Sequence, residues 1–253
     1  MQTSGNTILI TGGGSGIGRA LAHQFHALGN KIVVAGRREQ SLDETIAGHP
    51  GMGKLRLDIG NKQDIAAFAA RVTAEYPDLN VLINNAGIML AEDLTATGID
   101  LADAEATVVT NLLGPIRLTA ALLPHVRGQA RPAIVNVSSG LAFVPLITTP
   151  TYSATKAALH SYTISLRRQL RGTGIEVIEL IPPGVQTDLM PGHAADQLMM
   201  PLEAFIAETM GLFEMQPAPE EICVERVALL RRAEAEGRFD AVLSMLNPAP
   251  PQR

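Results

Sequence analysis

The chain has 253 residues, of which 46% are hydrophobic and 18% are charged, and this composition supplies a core and excludes a disordered chain. The formal net charge is -5 and no run of Lys or Arg occurs, so we expect no nucleic-acid partner. The single cysteine, Cys223, excludes an internal disulfide framework and a cysteine-based zinc site, and we expect no metal. The chain shows neither a basic leader before Thr11 nor a long apolar run, which predicts a cytoplasmic protein without a membrane partner.

Short runs rich in β-branched residues alternate with longer helical patterns along the chain. The predicted strands are Thr7 to Thr11, Lys31 to Ala35, Lys54 to Leu57, Asn80 to Ile83, Ala133 to Val137 and Ile175 to Ile181. The predicted helices are the stretch that ends at Leu28, Lys62 to Tyr76, about Asp103 to Val126, Thr151 to Arg171, Glu221 to Glu236 and Phe239 to Leu246. This alternation predicts an α/β fold, a doubly wound parallel sheet of six or seven strands with helices on both faces. We expect a single domain over residues 1–253, with a loose proline-rich tail from Asn247 to Arg253.

A glycine-rich loop joins the first strand to the first helix, and its sequence is Thr11-Gly12-Gly13-Gly14-Ser15-Gly16-Ile17-Gly18. Glycines at such a place allow a tight turn, let the backbone approach a pyrophosphate, and let the helix pack closely on the strand. The amino end of the helix adds free N–H groups and positive potential. The loop predicts a Rossmann-type dinucleotide site that includes Gly12, Ser15, Gly16, Ile17 and Gly18, with an ordinary flexible turn as the alternative.

The end of the second strand is where a residue that reads the cofactor ribose is expected. An acidic residue there would bind the ribose hydroxyls of NAD, but this chain has Gly36-Arg37-Arg38. An arginine can bind a 2′-phosphate through two hydrogen bonds, whereas an acid would repel it. Arg37 and Arg38 therefore favour NADP(H) over NAD(H), with a solvated basic turn as the alternative.

Tyr152 and Lys156 are four residues apart at the start of a predicted helix, so they share one face. A free tyrosine titrates near pH ~10, too high for easy proton exchange at neutral pH. A neighbouring ammonium favours the phenolate, so we expect Lys156 to lower the pKa of Tyr152 and make it a general acid or base.

The order and spacing of these motifs resemble the short-chain dehydrogenase/reductase family over about residues 5–190. The resemblance rests on the glycine loop, Asn84-Asn85-Ala86-Gly87, Asn111, Ser138-Ser139, and Tyr152 with Lys156. Within the family, the chain is most similar to the DltE-like oxidoreductases, through Val81 to Gly87, Ser139 to Phe143, Ala157 to Ser161, Phe205 to Met210 and Glu221 to Val224.

The resemblance implies four catalytic residues. Tyr152 would donate a proton to the carbonyl oxygen, and Ser139 would hydrogen-bond the same oxygen. Lys156 would bind the nicotinamide ribose and lower the pKa of Tyr152, while Asn111 would anchor a water that leads to the lysine.

The resemblance also implies cofactor contacts outside the glycine loop. Asp58 would touch the adenine, Asn85 would shape the floor of the site together with Ala86 and Gly87, and Val185 and Thr187 would meet the nicotinamide carboxamide. One departure from the family pattern is a second proline, Pro183, where the family usually has glycine. Another is that no final glycine-rich strand is recognisable after Glu221, which leaves both a seventh strand and the tetramer interface that uses it open.

Two segments are expected to contact the substrate. The loop after Ser139 is apolar through Leu141, Phe143, Val144, Leu146 and Ile147. An insertion at about 188–220 is predicted to form a lid, and Leu202, Phe205, Ile206 and Phe213 would form one face of its helix. That face either adapts to an apolar substrate or packs the lid onto the domain.

His160, four residues after Lys156, is interpreted as a packed or interfacial residue.

These observations predict an NADP(H)-dependent oxidoreductase that transfers a hydride between nicotinamide and a carbonyl or secondary alcohol of a small apolar substrate. A dinucleotide-binding regulator or scaffold with little turnover is the alternative. A longer-chain epimerase or dehydratase conflicts with the chain length and the glycine spacing. We expect a small-molecule carbonyl or alcohol as partner and a homodimer or homotetramer.

Overall fold

A computed structural model describes residues 1–248 of the protein. Its one sheet has seven parallel strands in the order β3-β2-β1-β4-β5-β6-β7. The strands are β1 (Thr7–Thr11), β2 (Lys31–Gly36), β3 (Gly53–Arg56), β4 (Leu79–Asn84), β5 (Ala133–Val137), β6 (Glu176–Ile181) and β7 (Glu221–Cys223). The predicted doubly wound sheet and its six recognised strands are confirmed. The part of the predicted loose tail beyond Pro248 lies outside the described residues.

Nine α-helices are found within residues 1–248. They are α1 (Gly16–Ala27), α2 (Glu39–Ile46), α3 (Lys62–Glu75), α4 (Ala102–Val108), α5 (Gly114–Arg127), α6 (Pro150–Gln169), α7 (Leu202–Glu214), α8 (Ala228–Arg231) and α9 (Phe239–Leu246). The short helix α2 was not predicted, because its eight residues include only two apolar side chains, Leu42 and Ile46. The helix predicted from about Asp103 to Val126 is divided by a π-helical segment at Val109–Leu113.

The helix predicted from Glu221 to Glu236 is wrong over most of its length. Glu221–Cys223 forms β7, which pairs in parallel with β6, and Glu225–Val227 forms a short 3₁₀ helix. Only α8 (Ala228–Arg231) is α-helical, and residues 232–236 form turns. A strand of three residues with one buried side chain, Ile222, is too short for its alternation to be recognised. It becomes a strand because the edge of β6 offers it backbone hydrogen-bond partners. The uncertain seventh strand therefore exists.

Helices cover both faces of the sheet, and side chains alternate between two cores. Ile8 and Ile10 of β1 belong to one apolar cluster, whereas Leu9 belongs to the other. Because both faces are buried, the central strands are mostly apolar, with a few buried polar residues such as Asn80, Asn136 and Glu179. The strand order reverses between β1 and β4, so the loops at the carboxyl ends of these two strands diverge and leave a crevice.

The helix of the predicted lid segment is packed on the domain. Phe205 and Phe213 of α7 are fully buried, and the ring centroid of Phe213 lies 5.6 Å from that of Phe25 in α1 with an edge-to-face geometry. Leu202 packs against the same core cluster, and Ile206 is buried in it. The apolar face of α7 therefore stabilises the fold by burying aromatic surface against α1.

One stretch of the described residues, Ala102–Arg127, is long and apolar enough to span a membrane by length and composition. It comprises α4, the π-helical segment and α5, and its own Leu118 and Leu122 are buried in the core. A core helix passes the same test, so this stretch is weak evidence for a membrane span.

We expect Phe213→Ala to lower the free energy of unfolding by about 3–5 kcal/mol, because it removes a large side chain from a packed core. Met215→Ala is the control, since Met215 is 54% exposed just beyond the same helix and should change stability by at most ~0.5 kcal/mol. Urea unfolding followed by circular dichroism measures both. Equal effects of the two substitutions would show that α7 is not docked on α1 in solution.

Candidate active site

The Thr11 hydroxyl joins the ends of β1 and β4, where the crevice opens. It donates a hydrogen bond to the carbonyl of Ile83 (3.3 Å) and accepts the backbone N–H groups of Asn85 (3.0 Å) and Ala86 (3.1 Å). Thr11 is part of the predicted glycine loop, but its sequence position alone indicates no role for its side chain. A hydroxyl at the end of an otherwise apolar strand was the available signal.

The glycine loop approaches β4 too closely for side chains. A Cβ on Gly12, whose φ is +65°, would lie 2.9 Å from Ala86 Cα, and a Cβ on Gly18 would lie 2.3 Å from the carbonyl oxygen of Gly12. Asn85 Nδ2 donates to the carbonyls of Thr11 (3.0 Å) and Gly12 (3.3 Å) and so holds the loop in place. This tight packing leaves backbone, not side chains, along the crevice, which fits a pyrophosphate that needs close backbone approach.

The start of α1 completes this side of the crevice. Ser15 precedes the helix in an extended conformation and makes no side-chain cap, and Ile17 is half-buried against the core. A Cβ on Gly16 would lie 3.2 Å from Thr187 Cγ2, so the loop after β6 reaches the amino end of α1. The two ends of the predicted cofactor site therefore face each other.

The residues predicted to read the adenosine half lie at the ends of β2 and β3. Arg37 and Arg38 are exposed directly after β2, and neither forms an ion pair with another residue that the structure describes. Asp58 follows β3, where its Oδ1 accepts the N–H of Gly60 (3.0 Å) and its own N–H donates to Asp64 Oδ2 (2.6 Å).

Asn111 ties the loop after β4 to α6 from the π-helical segment. Its side chain is buried, its Oδ1 accepts the N–H of Ile88 (2.8 Å), and its Nδ2 donates to the carbonyl of Ile88 (2.8 Å) and to Thr155 Oγ1 (3.4 Å). A Cβ on Gly87 would lie 3.3 Å from Asn111 Oδ1 and 3.8 Å from Lys156 Nζ. The structure thus brings Gly87, Asn111 and Lys156 together.

Ser139 and Tyr152 are both buried, at the end of β5 and in the first turn of α6. Burial raises the pKa of Tyr152 to about 12, and hydrogen bonding to the Ser139 hydroxyl acts in the opposite direction. The sequence predicted a pKa lowered by Lys156, and that prediction is wrong for this structure because desolvation of the phenol is the larger effect. The ammonium lies 5.5 Å from the centre of the Tyr152 ring.

Lys156 is a buried cation. Its Nζ donates to the carbonyl of Val137 at the end of β5 (2.8 Å). Burial lowers the pKa of Lys156 to about 8, and the negative charge of Glu179 acts against that shift. The lysine is therefore mostly protonated at neutral pH, although much less firmly than a lysine in water.

The loop after β6 is held in place by backbone pairing with the segment around Met200. Val185 is buried and bridges to Met200, with hydrogen bonds from Met200 N–H to the carbonyl of Gly184 (2.8 Å) and from Gln186 N–H to that of Met200 (2.9 Å). The extra proline, Pro183, does not prevent this pairing, because the pairing uses backbone groups on its carboxyl side.

A cavity of about 830 Å³ is lined by residues that follow Ser139 and Tyr152 in the chain, but neither Ser139 nor Tyr152 lines it. Its apolar lining includes Leu94, Leu141, Ala142, Pro145, Leu146 and Ile147, and its charged lining is Glu92 and Asp93. Phe143 and Val144 point elsewhere: Phe143 packs edge-on to His160, and Val144 is buried against the carboxyl-terminal helices. Only part of the predicted apolar loop therefore faces this cavity.

Glu92 is a residue of the site region that the sequence analysis missed. Its carboxylate accepts the N–H (2.9 Å) and the hydroxyl (2.7 Å) of Thr151, the residue before Tyr152. A carboxylate at the amino end of α6 also interacts favourably with the helix dipole. The role of Glu92 depends on a contact with a residue 59 positions away, and the local sequence around Glu92 gives no sign of it.

Comparisons with known proteins agree with this geometry. The family model for short chain dehydrogenases matches residues 6–198. The chain is 38% identical over 249 residues to the uncharacterized oxidoreductase DltE of Bacillus subtilis (strain 168), covering 98% of each chain. A short-chain dehydrogenase from Burkholderia cenocepacia J2315 in complex with NADP superposes with a TM-score of 0.83 at 24% identity, over 99% of this chain and 100% of that one. A short-chain dehydrogenase from Sphingobium yanoikuyae in complex with NADPH gives 0.78 at 25% identity, over 98% of each chain.

The match to the family model covers more than half of the chain, and the DltE match confirms the resemblance drawn from the motifs. The chain therefore belongs to the short-chain dehydrogenase/reductase family and is an NAD(P)-dependent oxidoreductase.

Proposed function

We propose that this protein is an NADP(H)-dependent oxidoreductase that interconverts a carbonyl and a secondary alcohol on a small apolar substrate, with Tyr152 as the general acid or base. The observation that carries the proposal is that four side chains far apart in sequence lie around the ends of β4 and β5. These side chains, Asn111, Ser139, Tyr152 and Lys156, are all buried.

A Cβ on Gly12 would collide with Ala86, and one on Gly18 would collide with the Gly12 carbonyl, so this part of the crevice is lined by backbone. A backbone lining fits a dinucleotide because it lets the pyrophosphate approach closely. We assign its binding to Gly12, Ser15, Gly16, Ile17, Gly18, Arg37, Arg38, Asp58, Asn85, Ala86, Gly87, Tyr152, Lys156, Val185 and Thr187. When bound, the nicotinamide cofactor supplies or accepts the hydride. The protein contributes binding, orientation and control of the proton.

Two exposed guanidinium groups support NADP(H) as the cofactor. Arg37 and Arg38 follow β2, the place from which an acidic residue would bind the ribose hydroxyls of NAD. Neither is paired with a carboxylate among the described residues, so both are available to a 2′-phosphate. The NADP and NADPH complexes of two similar structures agree with this proposal.

Tyr152 holds the proton of the reaction at its Oη. With a pKa raised to about 12 by burial, the phenol is neutral at physiological pH and is ready to donate in the direction of carbonyl reduction. Ser139 supplies a second hydroxyl near the oxygen on which negative charge develops. Lys156 adds a nearby positive charge, and Asn111 would anchor the water that leads to it.

The lining of the cavity favours an apolar substrate. Its two charged residues, Glu92 and Asp93, are acidic, so they disfavour a carboxylate-bearing substrate by repulsion. Leu141 and Ile147 supply apolar contact area on the side of the Ser139 loop. We further propose a cytoplasmic homodimer or homotetramer whose partner is a small carbonyl or alcohol.

We expect Tyr152→Phe to lower carbonyl reduction by about 10²–10⁴-fold, since it removes the proton donor and leaves the ring in place. NADPH binding, measured by fluorescence titration, should stay nearly unchanged. Tyr162→Phe is the matched control on the same helix, because Tyr162 packs in a separate apolar cluster. Full turnover by the Tyr152 variant would contradict the assignment. If the Tyr152→Phe variant lost turnover but kept the biological effect of the unmodified protein, the result would favour a dinucleotide-binding regulator or scaffold.

We expect Arg37→Asp to weaken NADPH binding by about 10–100-fold, because it removes a partner of the 2′-phosphate. NADH binding should stay unchanged or become tighter, because the new carboxylate can bind the ribose hydroxyls. Arg38→Asp, measured alongside, separates the two arginines. Arg71→Asp is the control, since Arg71 is an exposed arginine of α3. Equal binding of NADPH and NADH by the unmodified protein would show that the arginines form only a solvated turn.

A further inference from the structure

A carboxylate that the proposed reaction does not use lies beneath the catalytic helix. Glu179 is in β6, and its side chain is fully buried. A buried carboxylate is strongly destabilising unless it is hydrogen-bonded and paired. One of its oxygens accepts the Ser138 hydroxyl (2.5 Å), and the other lies 2.8 Å from His160 Nδ1. The fold therefore provides a site that holds a negative charge.

A single strand end connects Glu179 with the catalytic lysine. Lys156 Nζ donates to the carbonyl of Val137, and the next residue, Ser138, donates its hydroxyl to Glu179. Lys156 and His160 are four residues apart on α6, so they lie on the same face of that helix. The helix thus contacts the end of β5 through the ammonium and contacts the carboxylate through the imidazole.

Glu179 opposes the cost of burying the lysine. Burial lowers the pKa of Lys156 to about 8, and the negative charge of Glu179 raises it. Tyr152, on the same helix, is neutral near pH 7 because burial raises its pKa to about 12. The phenol therefore contributes no countercharge for Lys156.

The other charged groups near Glu179 are paired among themselves. Glu221 of β7 stands beside Glu179 in the parallel register, and Arg231 binds both of its oxygens (2.8 and 2.9 Å). The Arg231 guanidinium also lies 4.6 Å from the centre of the Phe143 ring. Burial raises the pKa of Cys223 to about 11, so that thiol is neutral. Among the described residues, Glu179 has no guanidinium partner.

The donor atoms of His160, Glu179 and Glu221 lie within 4.8 Å of one another, a spacing that would also suit a metal ion. However, the Glu221 carboxylate is bound by Arg231, and that of Glu179 is engaged by Ser138 and His160. Because these oxygens already have protein partners, we interpret the cluster as a hydrogen-bonded network of side chains and assign no metal ion to it.

We propose that Glu179 is a positioning residue for the reaction proposed above: its carboxylate keeps Lys156 in the ammonium form and holds the end of β5 that carries Ser139. This role rests on the proposed function, in which Lys156 acts beside Tyr152. Its physical basis is a negative charge fixed behind a buried cation, where the low dielectric makes their interaction strong.

The test follows the titration of Lys156 directly. The chain contains four lysines, Lys31, Lys54, Lys62 and Lys156, so lysine labelled with ¹³C at its ε-carbon gives four signals. Lys156→Arg identifies one signal by its loss. The signal is then followed by NMR against pH in the unmodified protein and in Glu179→Gln, which removes the charge and keeps the shape.

We expect the titration midpoint of Lys156 to fall by about one pH unit in Glu179→Gln. Glu179→Asp keeps the charge and should stay near the unmodified protein. Glu220→Gln removes a carboxylate that is 70% exposed and should have no effect. The loss of NADPH-dependent reduction at high pH should move to lower pH by the same amount in Glu179→Gln.

Circular dichroism checks that each variant folds. If Glu179→Gln does not fold, the variant Ser138→Ala/Glu179→Met replaces both hydrogen-bonding partners and leaves no orphaned hydroxyl. An unchanged Lys156 midpoint in the folded variant would overturn the role of Glu179, even if the enzyme turns over. A lowered midpoint in a protein that reduces no carbonyl would support the electrostatic role and contradict the proposed reaction instead.

Discussion

Parallel strand direction is the constraint on which the site depends. All seven strands run the same way, so each delivers the residues at its carboxyl end to one edge of the sheet. The Thr11 hydroxyl joins β1 to β4 at that edge, where the strand order reverses. The glycine loop contacts the Asn85 amide, and Ser139 follows β5 at the same edge, because their strands end together. An antiparallel sheet of the same strands would separate them.

Helix α6 is attached to this edge through polar groups that are costly to bury. Lys156 and Glu179 are charged groups in the interior, and each is held by hydrogen bonds to the end of β5. Apolar residues at these positions would avoid the desolvation cost but would place no charge in the interior. Apolar burial elsewhere, for example where Phe213 of α7 packs on Phe25, stabilises the fold against this cost.

The predicted parts of the fold share one physical property: each buries an apolar face large enough to show in the local sequence. Six strands and the helices α1, α3, α6 and α9 were recognised in this way. The parts that were missed depend on partners outside their own segment. β7 is a strand because β6 offers it an edge, and the π-helical turn at Val109–Leu113 places Asn111 where Ile88 can bind it. The periodicity of the local sequence indicates neither the pairing of β7 with β6 nor the contact of Asn111 with Ile88.

The sequence by itself determined which chemical groups the site would contain and which strand or helix would carry most of them. The spacing of Tyr152 and Lys156 on one helix and the glycines after β1 are local properties of the chain. Only the tertiary structure decided how those groups behave. Burial raised the pKa of Tyr152, where the sequence had predicted a lowered one. The fold also placed Glu179, which is 23 positions beyond Lys156 in the chain, where its charge acts on the lysine. Desolvation and long-range charge depend on what surrounds a residue in space, and residue order does not specify those surroundings.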